Sequence, residues 1–188
     1  RPGSWHNGRM PHLRVLTLCT GNVCRSPAAA VMLREALRGT DLEERVEVGS
    51  AGTTWEAEGE PMDDRTMLAL ERAGYSQPFE HTARTIHLTE LLRWDLVLPM
   101  SIQHSELLQR MARQAPEGSA VPEVSLWRRF EPGVPPGVEL AVDDPWYDEQ
   151  EAFDQLILSM QKSVPPILEH LREMLAEREL AQGEAQGG

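Results

Sequence analysis

The feature that most constrains the fold is a short apolar strand that leads through a tight turn into a helix. Leu13–Leu18 reads LRVLTL, an apolar and β-branched run that is typical of a buried strand. After the turn, Ser26 and Pro27 open AAAVMLREAL, with serine as the expected cap and proline at the first helical position. This order predicts the first strand and helix of a parallel α/β sheet.

The same alternation of strands and helices continues along the chain. Further strands are predicted at Val46–Val48, Asp95–Leu98 and Val121–Val124, and further helices at Asp64–Ala73 and Ser101–Arg113. Apolar residues from Phe153 to Leu175 recur at helical spacing, and the Pro165–Pro166 pair should kink or split that helix. The pattern predicts an α/β fold whose parallel four-stranded sheet is flanked by helices on both faces.

The length of 188 residues suits one domain, with two loose ends. Residues 1–11 are polar and aperiodic, and we expect a flexible N-terminal extension or a cloning remnant there. Residues 12–176 form the predicted domain. Residues 177–188 include the low-complexity run AQGEAQGG and are predicted to be a flexible C-terminal tail.

The charge and cysteine content of the chain argue against several classes of function. Eighteen basic against thirty acidic residues give a formal net charge of −12, which disfavours binding to nucleic acid or to an anionic membrane. The two cysteines cannot form a disulfide scaffold, so a reducing, cytoplasmic location is expected. No apolar run approaches the roughly 20 residues of a membrane span.

The turn after the first strand, CTGNVCRSP at residues 19–27, is predicted to bind phosphate or a similar oxyanion. Ligands of parallel sheets bind beyond the carboxyl ends of the strands, where loop N–H groups and a helix N-terminus favour anions. Gly21 and Asn22 tolerate left-handed backbone, and Arg25 offers a planar fork for two phosphate oxygens. The residues expected around the anion are Thr20, Gly21, Asn22, Val23, Cys24, Arg25 and Ser26.

Cys19, the first residue of this turn, is the candidate nucleophile. The helix dipole, the loop N–H groups and Arg25 would all favour its thiolate form. The features that bind a phosphate dianion would therefore also activate a nucleophile beneath it, which predicts phosphoryl transfer through a cysteinyl-phosphate. The alternative is a buried cysteine that only fills space in an ordinary strand-to-helix turn.

The segment VLTLCTGNVCRSP resembles the signature of the low-molecular-weight protein tyrosine phosphatases. Four further blocks resemble the same family in the same order: Ser50–Thr53, the pair Asp63 and Arg65, His81–Arg84, and Asp144–Tyr147. The resemblance covers most of residues 13–175. It implies a phosphatase domain over residues 12–176 that acts on phosphotyrosine-containing proteins and needs no metal or cofactor.

The resemblance also implies a role for one carboxyl group as general acid and then general base. Asp143 and Asp144 are equal candidates from composition, and the Asp-Pro order of the family selects Asp144. Trp55, Trp146 and Tyr147 correspond to aromatic walls around the phosphoaryl ring.

Other residues of the resembling blocks have supporting roles in the family. Ser26 would donate a hydrogen bond to the thiolate as well as cap the helix, Asn22 would shape the loop, and His81 would buttress it. Cys24 implies a reversible disulfide with Cys19, the alternative being a buried structural thiol.

The chain departs from the family after its third strand. The family has Ala-Met-Asp with an asparagine three residues later, whereas this chain has Pro99, Met100, Ser101 and His104. The departure concerns the hydrogen bonds behind the catalytic loop and leaves the catalytic residues in place.

Three alternative functions are compatible with parts of this pattern. An arsenate reductase would need an external thiol, because no cysteine follows Cys24. A protein-arginine phosphatase resembles CTGNTCR, with threonine where this chain has Val23. A phospho-binding module without turnover would not need the combination of Cys19, Arg25 and Asp144. No oligomeric state follows from the sequence.

Overall fold

The computed structural model describes residues 12–187, so the extension predicted at residues 1–11 lies outside the described part of the chain. The strands are β1 (Leu13–Cys19), β2 (Val46–Gly52), β3 (Leu96–Pro99) and β4 (Glu123–Val124). The helices are α1 (Arg25–Leu37), α2 (Asp64–Arg72), α3 (Leu88–Leu91), α4 (Ile102–Arg113), α5 (Gln150–Gln161) and α6 (Val164–Gln186), with a 3-10 turn at Trp127–Phe130.

The four strands form one parallel sheet in the order β2-β1-β3-β4, as predicted. β1 pairs with β2 from Leu13 opposite Val46 to Cys19 opposite Gly52. Because β1 lies inside the sheet, Cys19 emerges at the carboxyl edge with a neighbouring strand on each side. The turn that follows it is therefore walled by the segments that leave β2 and β3.

Helices cover both faces of the sheet, which confirms the predicted architecture. Leu13 and Val15 of β1 pack in one apolar cluster with residues of α1, α5 and α6, and Leu16 and Leu18 pack in a second cluster with residues of α3 and α4. The split follows from the alternation of side chains along a strand. All four of these side chains are fully buried.

Helix α1 begins earlier than its sequence suggests, and the prediction that Ser26 caps it is wrong. The helix starts at Arg25, with Cys24 at the capping position and no side-chain capping bond. The Ser26 hydroxyl is instead engaged below the turn, 2.8 Å from Asn22 Nδ2 and 3.0 Å from Cys19 Sγ. The helix N-terminus thus lies closer to Cys19 than a cap at Ser26 would place it.

Two strands differ in length from the prediction. β2 continues beyond Val48 to Gly52, because the small residues Ser50–Gly52 pair with the end of β1. β4 is shorter than the predicted Val121–Val124: it comprises Glu123–Val124, which pairs with the start of β3.

The C-terminal region consists of two helices, so the predicted split at the proline pair is confirmed. Pro165 and Pro166 stand in the first turn of α6, where backbone N–H groups have no acceptor within the helix. α6 then continues to Gln186, so most of the segment predicted as a tail is helical. Ion pairs of Arg178 with Asp95 and of Glu179 with Arg45 connect this part of the helix to the domain.

Within residues 12–187, none of the helices combines the length and the apolar character that crossing a lipid bilayer requires.

Gly52 gives a direct test of how the sheet positions the turn. A Cβ atom there would lie 2.6 Å from the Thr20 carbonyl oxygen and 3.1 Å from the Asn22 nitrogen, both backbone atoms. Gly52→Ala should therefore displace the turn, lower the free energy of unfolding by about 2 kcal/mol and weaken phosphate binding. Urea denaturation and calorimetric titration with phosphate would measure both effects.

The matched control is Gly183→Ala in α6, where no neighbouring atom lies within 4 Å of the new Cβ. This variant should bind phosphate like the wild type and be at least as stable, because alanine favours a helix more than glycine does. A Gly52→Ala protein that matched it in both respects would contradict the tight approach of β2 to the turn.

Candidate active site

The carbonyl groups of the turn between β1 and α1 accept hydrogen bonds from the surrounding protein. The Thr53 N–H donates to the carbonyls of Cys19 and Thr20, with N···O distances of 3.0 and 2.8 Å. The Asp63 N–H donates to the Val23 carbonyl at 2.9 Å. The donors come from the segment after β2 and from the residue before α2, so two neighbouring elements fix the shape of the turn.

The N–H groups of the same turn are free for a ligand. Within the described chain, the N–H groups of Thr20–Arg25 donate to no protein acceptor. Backbone N–H groups of this kind, at the N-terminus of a helix, bind an anion with their partial positive charges. The turn is hereafter called the phosphate loop (Cys19–Arg25).

Asn22 lies beneath the phosphate loop. It is fully buried and has a left-handed backbone with φ of 58°. Its Nδ2 donates to the hydroxyls of Ser26 and Ser50, and its Oδ1 accepts from the Arg84 N–H. His81 Nε2 lies 2.6 Å from the Asn22 carbonyl oxygen, which places this histidine behind the loop. Burial lowers the pKa of His81, so its ring is neutral at neutral pH.

Cys19 lies at the base of the phosphate loop, at the end of β1. Its Sγ is 3.0 Å from Ser26 Oγ. Because Asn22 donates to the Ser26 hydroxyl, the proton of that hydroxyl is directed to Cys19 Sγ or to the Ala51 carbonyl at 3.2 Å. A hydroxyl that donates to sulfur stabilises the thiolate.

Arg25 joins the phosphate loop to the loop that carries the candidate acid. Its guanidinium is buried, with Nη1 donating to the Val142 carbonyl at 3.0 Å and Nη2 lying 3.3 Å from Asp144 Oδ2. The positive charge at the mouth of the loop therefore has an exposed carboxylate beside it.

The geometry distinguishes Asp144 from its neighbour Asp143. Asp144 lies on the wall of the cavity above Cys19, whereas Asp143 lies on the wall of a separate cavity. Asp144 Oδ1 also accepts the Trp146 N–H at 3.2 Å, which fixes the start of the turn after it. Of the two carboxyl groups, only Asp144 is placed to exchange a proton with a group bound above Cys19.

Arg65 secures the loop that carries Asp144, a role the sequence did not reveal. Two nitrogens of its guanidinium each donate to one oxygen of Asp63, at 3.0 Å in both cases. Its Nη1 donates to the carbonyls of Trp146 and Asp148, at 3.1 and 3.2 Å, and the guanidinium stacks over Phe153. Asp63 and Arg65, which the sequence identified only as a matching block, thus connect the start of α2 to the loop that carries Asp144.

The cavity above Cys19 has a volume of about 320 Å³. Its walls are formed by Cys19, Thr20, Gly21, Val23, Cys24, Arg25, Thr54, Glu56, Ala57, Asp144, Trp146 and Tyr147. Most of the predicted site residues thus meet here, and Thr54, Glu56 and Ala57 join them from the segment after β2. Their position after the Ser50–Thr53 block was the one signal in the sequence that could have identified them.

Three predicted site residues lie outside the cavity wall. Asn22 and Ser26 are fully buried beneath the loop, where they act on its shape and on Cys19. The Trp55 side chain is 72% exposed and forms no part of the wall, while Trp146 and Tyr147 do.

Ser101 and His104, the residues that depart from the family pattern, lie directly behind the phosphate loop. Ser101 caps α4 by accepting the His104 N–H, and its Oγ lies 2.9 Å from His104 Nδ1. His104 Nε2 lies 2.9 Å from the Thr20 hydroxyl. Burial, and then the charge of Arg25, lower the pKa of His104 to about 4.

Cys24 is a buried free thiol in the cavity wall. Burial raises its pKa to about 12, so it is protonated at neutral pH and a poor nucleophile. Cys19 is also a free cysteine. The disulfide between the two stays a prediction.

In the described part of the chain, no three His, Cys, Asp or Glu side chains are grouped closely enough to bind a metal ion. The positive groups at the site are the loop N–H groups, the N-terminus of α1 and Arg25.

Comparison with known proteins identifies the same family as the sequence motifs. The family described as low molecular weight phosphotyrosine protein phosphatase matches residues 14–177. A low molecular weight protein-tyrosine-phosphatase of Streptomyces coelicolor is 34% identical over 165 residues, which cover 88% of this chain and 97% of the relative.

Solved structures share the fold. The low molecular weight phosphotyrosine phosphatase of Vibrio cholerae superposes with a TM-score of 0.70 at 25% identity, over 86% of this chain and 98% of that one. The arginine phosphatase YwlE of Geobacillus stearothermophilus superposes with a TM-score of 0.67 at 25% identity, over 88% and 96%.

The lowered pKa of His104 predicts how stability depends on pH. The unfolded histidine takes up a proton near its ordinary pKa of about 6.5, whereas the folded one does so only near 4. The stability this neutral ring supports is therefore present above about pH 6.5 and lost as the pH falls toward about 4. Between about pH 7 and about pH 5, wild type should lose about 2 kcal/mol of unfolding free energy that His104→Leu does not lose.

Urea denaturation of both proteins at the two pH values measures this difference, with His87→Leu, which removes an exposed histidine, as the matched control. An equal pH dependence for wild type and His104→Leu would show that His104 is not kept neutral by burial.

Proposed function

This chain belongs to the low molecular weight phosphotyrosine protein phosphatase family, and we propose that it hydrolyses phosphotyrosine in proteins through a cysteinyl-phosphate at Cys19. The observation that carries the proposal is the phosphate loop itself. Its N–H groups are free, Cys19 lies at its base, and Arg25 and Asp144 lie at its mouth.

In the first step, the Cys19 thiolate attacks phosphorus opposite the tyrosyl oxygen. The S–P bond forms and the P–O bond to tyrosine breaks. The loop N–H groups and the Arg25 guanidinium bind the equatorial oxygens, whose charge they stabilise in the transition state. Asp144 gives its proton to the leaving phenolate.

In the second step, Asp144, now a carboxylate, accepts a proton from a water molecule that attacks the phosphocysteine. The new P–O bond forms and the S–P bond breaks, so phosphate and the Cys19 thiolate are released. The hydroxyl of Ser26, 3.0 Å from the sulfur, donates to the departing thiolate and makes it a better leaving group.

The cavity walls support an aromatic phosphate ester as the substrate. Trp146 and Tyr147 offer ring faces beside the acid, and Val23 and Ala57 add apolar surface. In the arginine phosphatases the corresponding segment resembles CTGNTCR, which has a threonine hydroxyl at the position of Val23. Valine offers no hydrogen bond to a guanidinium, so phosphotyrosine is the better match. Trp55 stays a predicted wall residue that would have to turn toward the substrate.

The cellular setting follows from the same chemistry. The proposed nucleophile must be a free thiol, which a reducing compartment such as the cytoplasm maintains. The net charge of −12 gives no support to nucleic acid or an anionic membrane as a partner. Phosphoproteins and inorganic phosphate are the ligands that this family acts on or releases.

Steady-state hydrolysis of aryl phosphates by three proteins tests the mechanism. Cys19→Ser should be inactive, because its hydroxyl is a far weaker nucleophile at neutral pH. Asp144→Asn should lose about 100-fold to 10,000-fold in kcat/KM on phenyl phosphate, whose leaving group needs a proton, and much less in kcat/KM on p-nitrophenyl phosphate. The comparison uses kcat/KM because this quantity excludes the hydrolysis of the phosphocysteine, in which Asp144 serves both substrates equally. The matched control is Asp143→Asn, one residue away and on another cavity, which should act like wild type.

Assays of the wild type with other ligands distinguish the alternative functions. A wild type that cleaves phosphoarginine faster than phosphotyrosine would be an arginine phosphatase, and one that reduces arsenate with an added small thiol would be an arsenate reductase. A wild type that binds phosphate but turns over none of these would be a phospho-binding module. Any of the three would contradict the proposed function.

A further inference from the structure

The Thr20 side chain lies on the wall of the cavity and has two nitrogen atoms beside its hydroxyl oxygen. His104 Nε2 is 2.9 Å away, and Arg25 Nη2 is 3.4 Å away. The guanidinium nitrogen can only donate. Whether the histidine nitrogen donates or accepts decides where the hydroxyl proton of Thr20 goes.

The Ser101 hydroxyl lies where it can set the tautomer of His104. The Ser101 oxygen already accepts the backbone N–H of His104, and its only side-chain partner within residues 12–187 is His104 Nδ1 at 2.9 Å. A serine hydroxyl that donates to Nδ1 leaves the proton of the neutral ring on Nε2. The buried position of His104 beside Arg25 keeps the ring neutral.

A threonine hydroxyl has one proton to donate and two lone pairs to accept with. With the ring proton of His104 on Nε2, both lone pairs of the Thr20 oxygen face donors, one from His104 and one from Arg25. Its proton must then point away from both nitrogens, and Thr20 is one of the residues that line the cavity above Cys19.

We propose that the Thr20 hydroxyl is a further catalytic residue that donates a hydrogen bond to the phosphoryl oxygens, and that His104 and Ser101 are positioning residues that direct its proton there. The inference rests on the proposed function, since it names another donor in the same site. The hydroxyl adds a side-chain donor to the backbone N–H groups of the phosphate loop. Ser101 and His104, which depart from the family pattern, then support the phosphate loop.

The test measures the affinity of inorganic phosphate by isothermal titration calorimetry, which does not depend on turnover. Thr20→Val keeps the shape of the side chain but has no proton to donate, and it should bind phosphate about 10-fold more weakly, as expected for a lost bond to a charged group. Thr20→Ser keeps the hydroxyl and should bind phosphate nearly as the wild type does.

A double-mutant cycle tests whether His104 acts through Thr20. His104→Leu should weaken phosphate binding in the wild type and have no further effect in Thr20→Val, because the hydroxyl it orients is already gone. Ser105→Ala, a buried neighbour on α4, is the matched control and should bind phosphate like wild type.

Two results would overturn the inference. Wild-type affinity in Thr20→Val would mean that the Thr20 proton points to His104 instead, and the valine and serine variants decide this even if His104→Leu fails to fold. Additive losses in the cycle would mean that His104 acts on the fold and not through Thr20. Phosphate binding without hydrolysis in the wild type would contradict the proposed function but leave this measurement intact.

Discussion

The outward hydrogen bonds of the phosphate-loop carbonyls are the constraint on which the site depends. A peptide group that turns its carbonyl toward the protein presents its N–H on the opposite side. The loop achieves this with donors from the protein: the Thr53 N–H for Cys19 and Thr20, the His81 ring for Asn22, and the Asp63 N–H for Val23. The N–H groups that remain are concentrated at the N-terminus of α1, where the helix dipole adds to their attraction for an anion.

The reactive groups are kept together by two buried or half-buried arginines that bridge separate segments. Arg25 connects the phosphate loop to the backbone at Val142 and to the Asp144 carboxylate. Arg65 connects the start of α2 to the backbone on both sides of Tyr147. The acid therefore belongs to a loop whose position is set by contacts with the rest of the domain, which an acid that serves two successive steps requires.

The sequence predicted those parts of the site that depend on local order. The strand, the turn and the helix that hold Cys19 and Arg25 are contiguous, and the Asp-Pro order distinguished Asp144 from Asp143. The sheet and its two helical faces followed from alternating patterns. Contacts between distant segments could not be predicted in this way: Thr20 and His104 are 84 residues apart, and Arg65 reaches carbonyls 81 and 83 residues away.

Local preference also misled where tertiary contacts override it. Ser26 is a good helix cap by composition, but buried polar groups beneath the loop use its hydroxyl. The polar end of the chain was predicted to be a flexible tail; in the structure α6 continues to Gln186, and the flexibility of this end stays a prediction. The most direct measurement of the central claim is rapid-quench mass spectrometry of the wild type during turnover of p-nitrophenyl phosphate. The expected result is one phosphoryl group, preserved by the quench, on the peptide that contains Cys19. A phosphoryl group on any other residue, or no phosphoryl group during rapid turnover, would contradict the proposed mechanism.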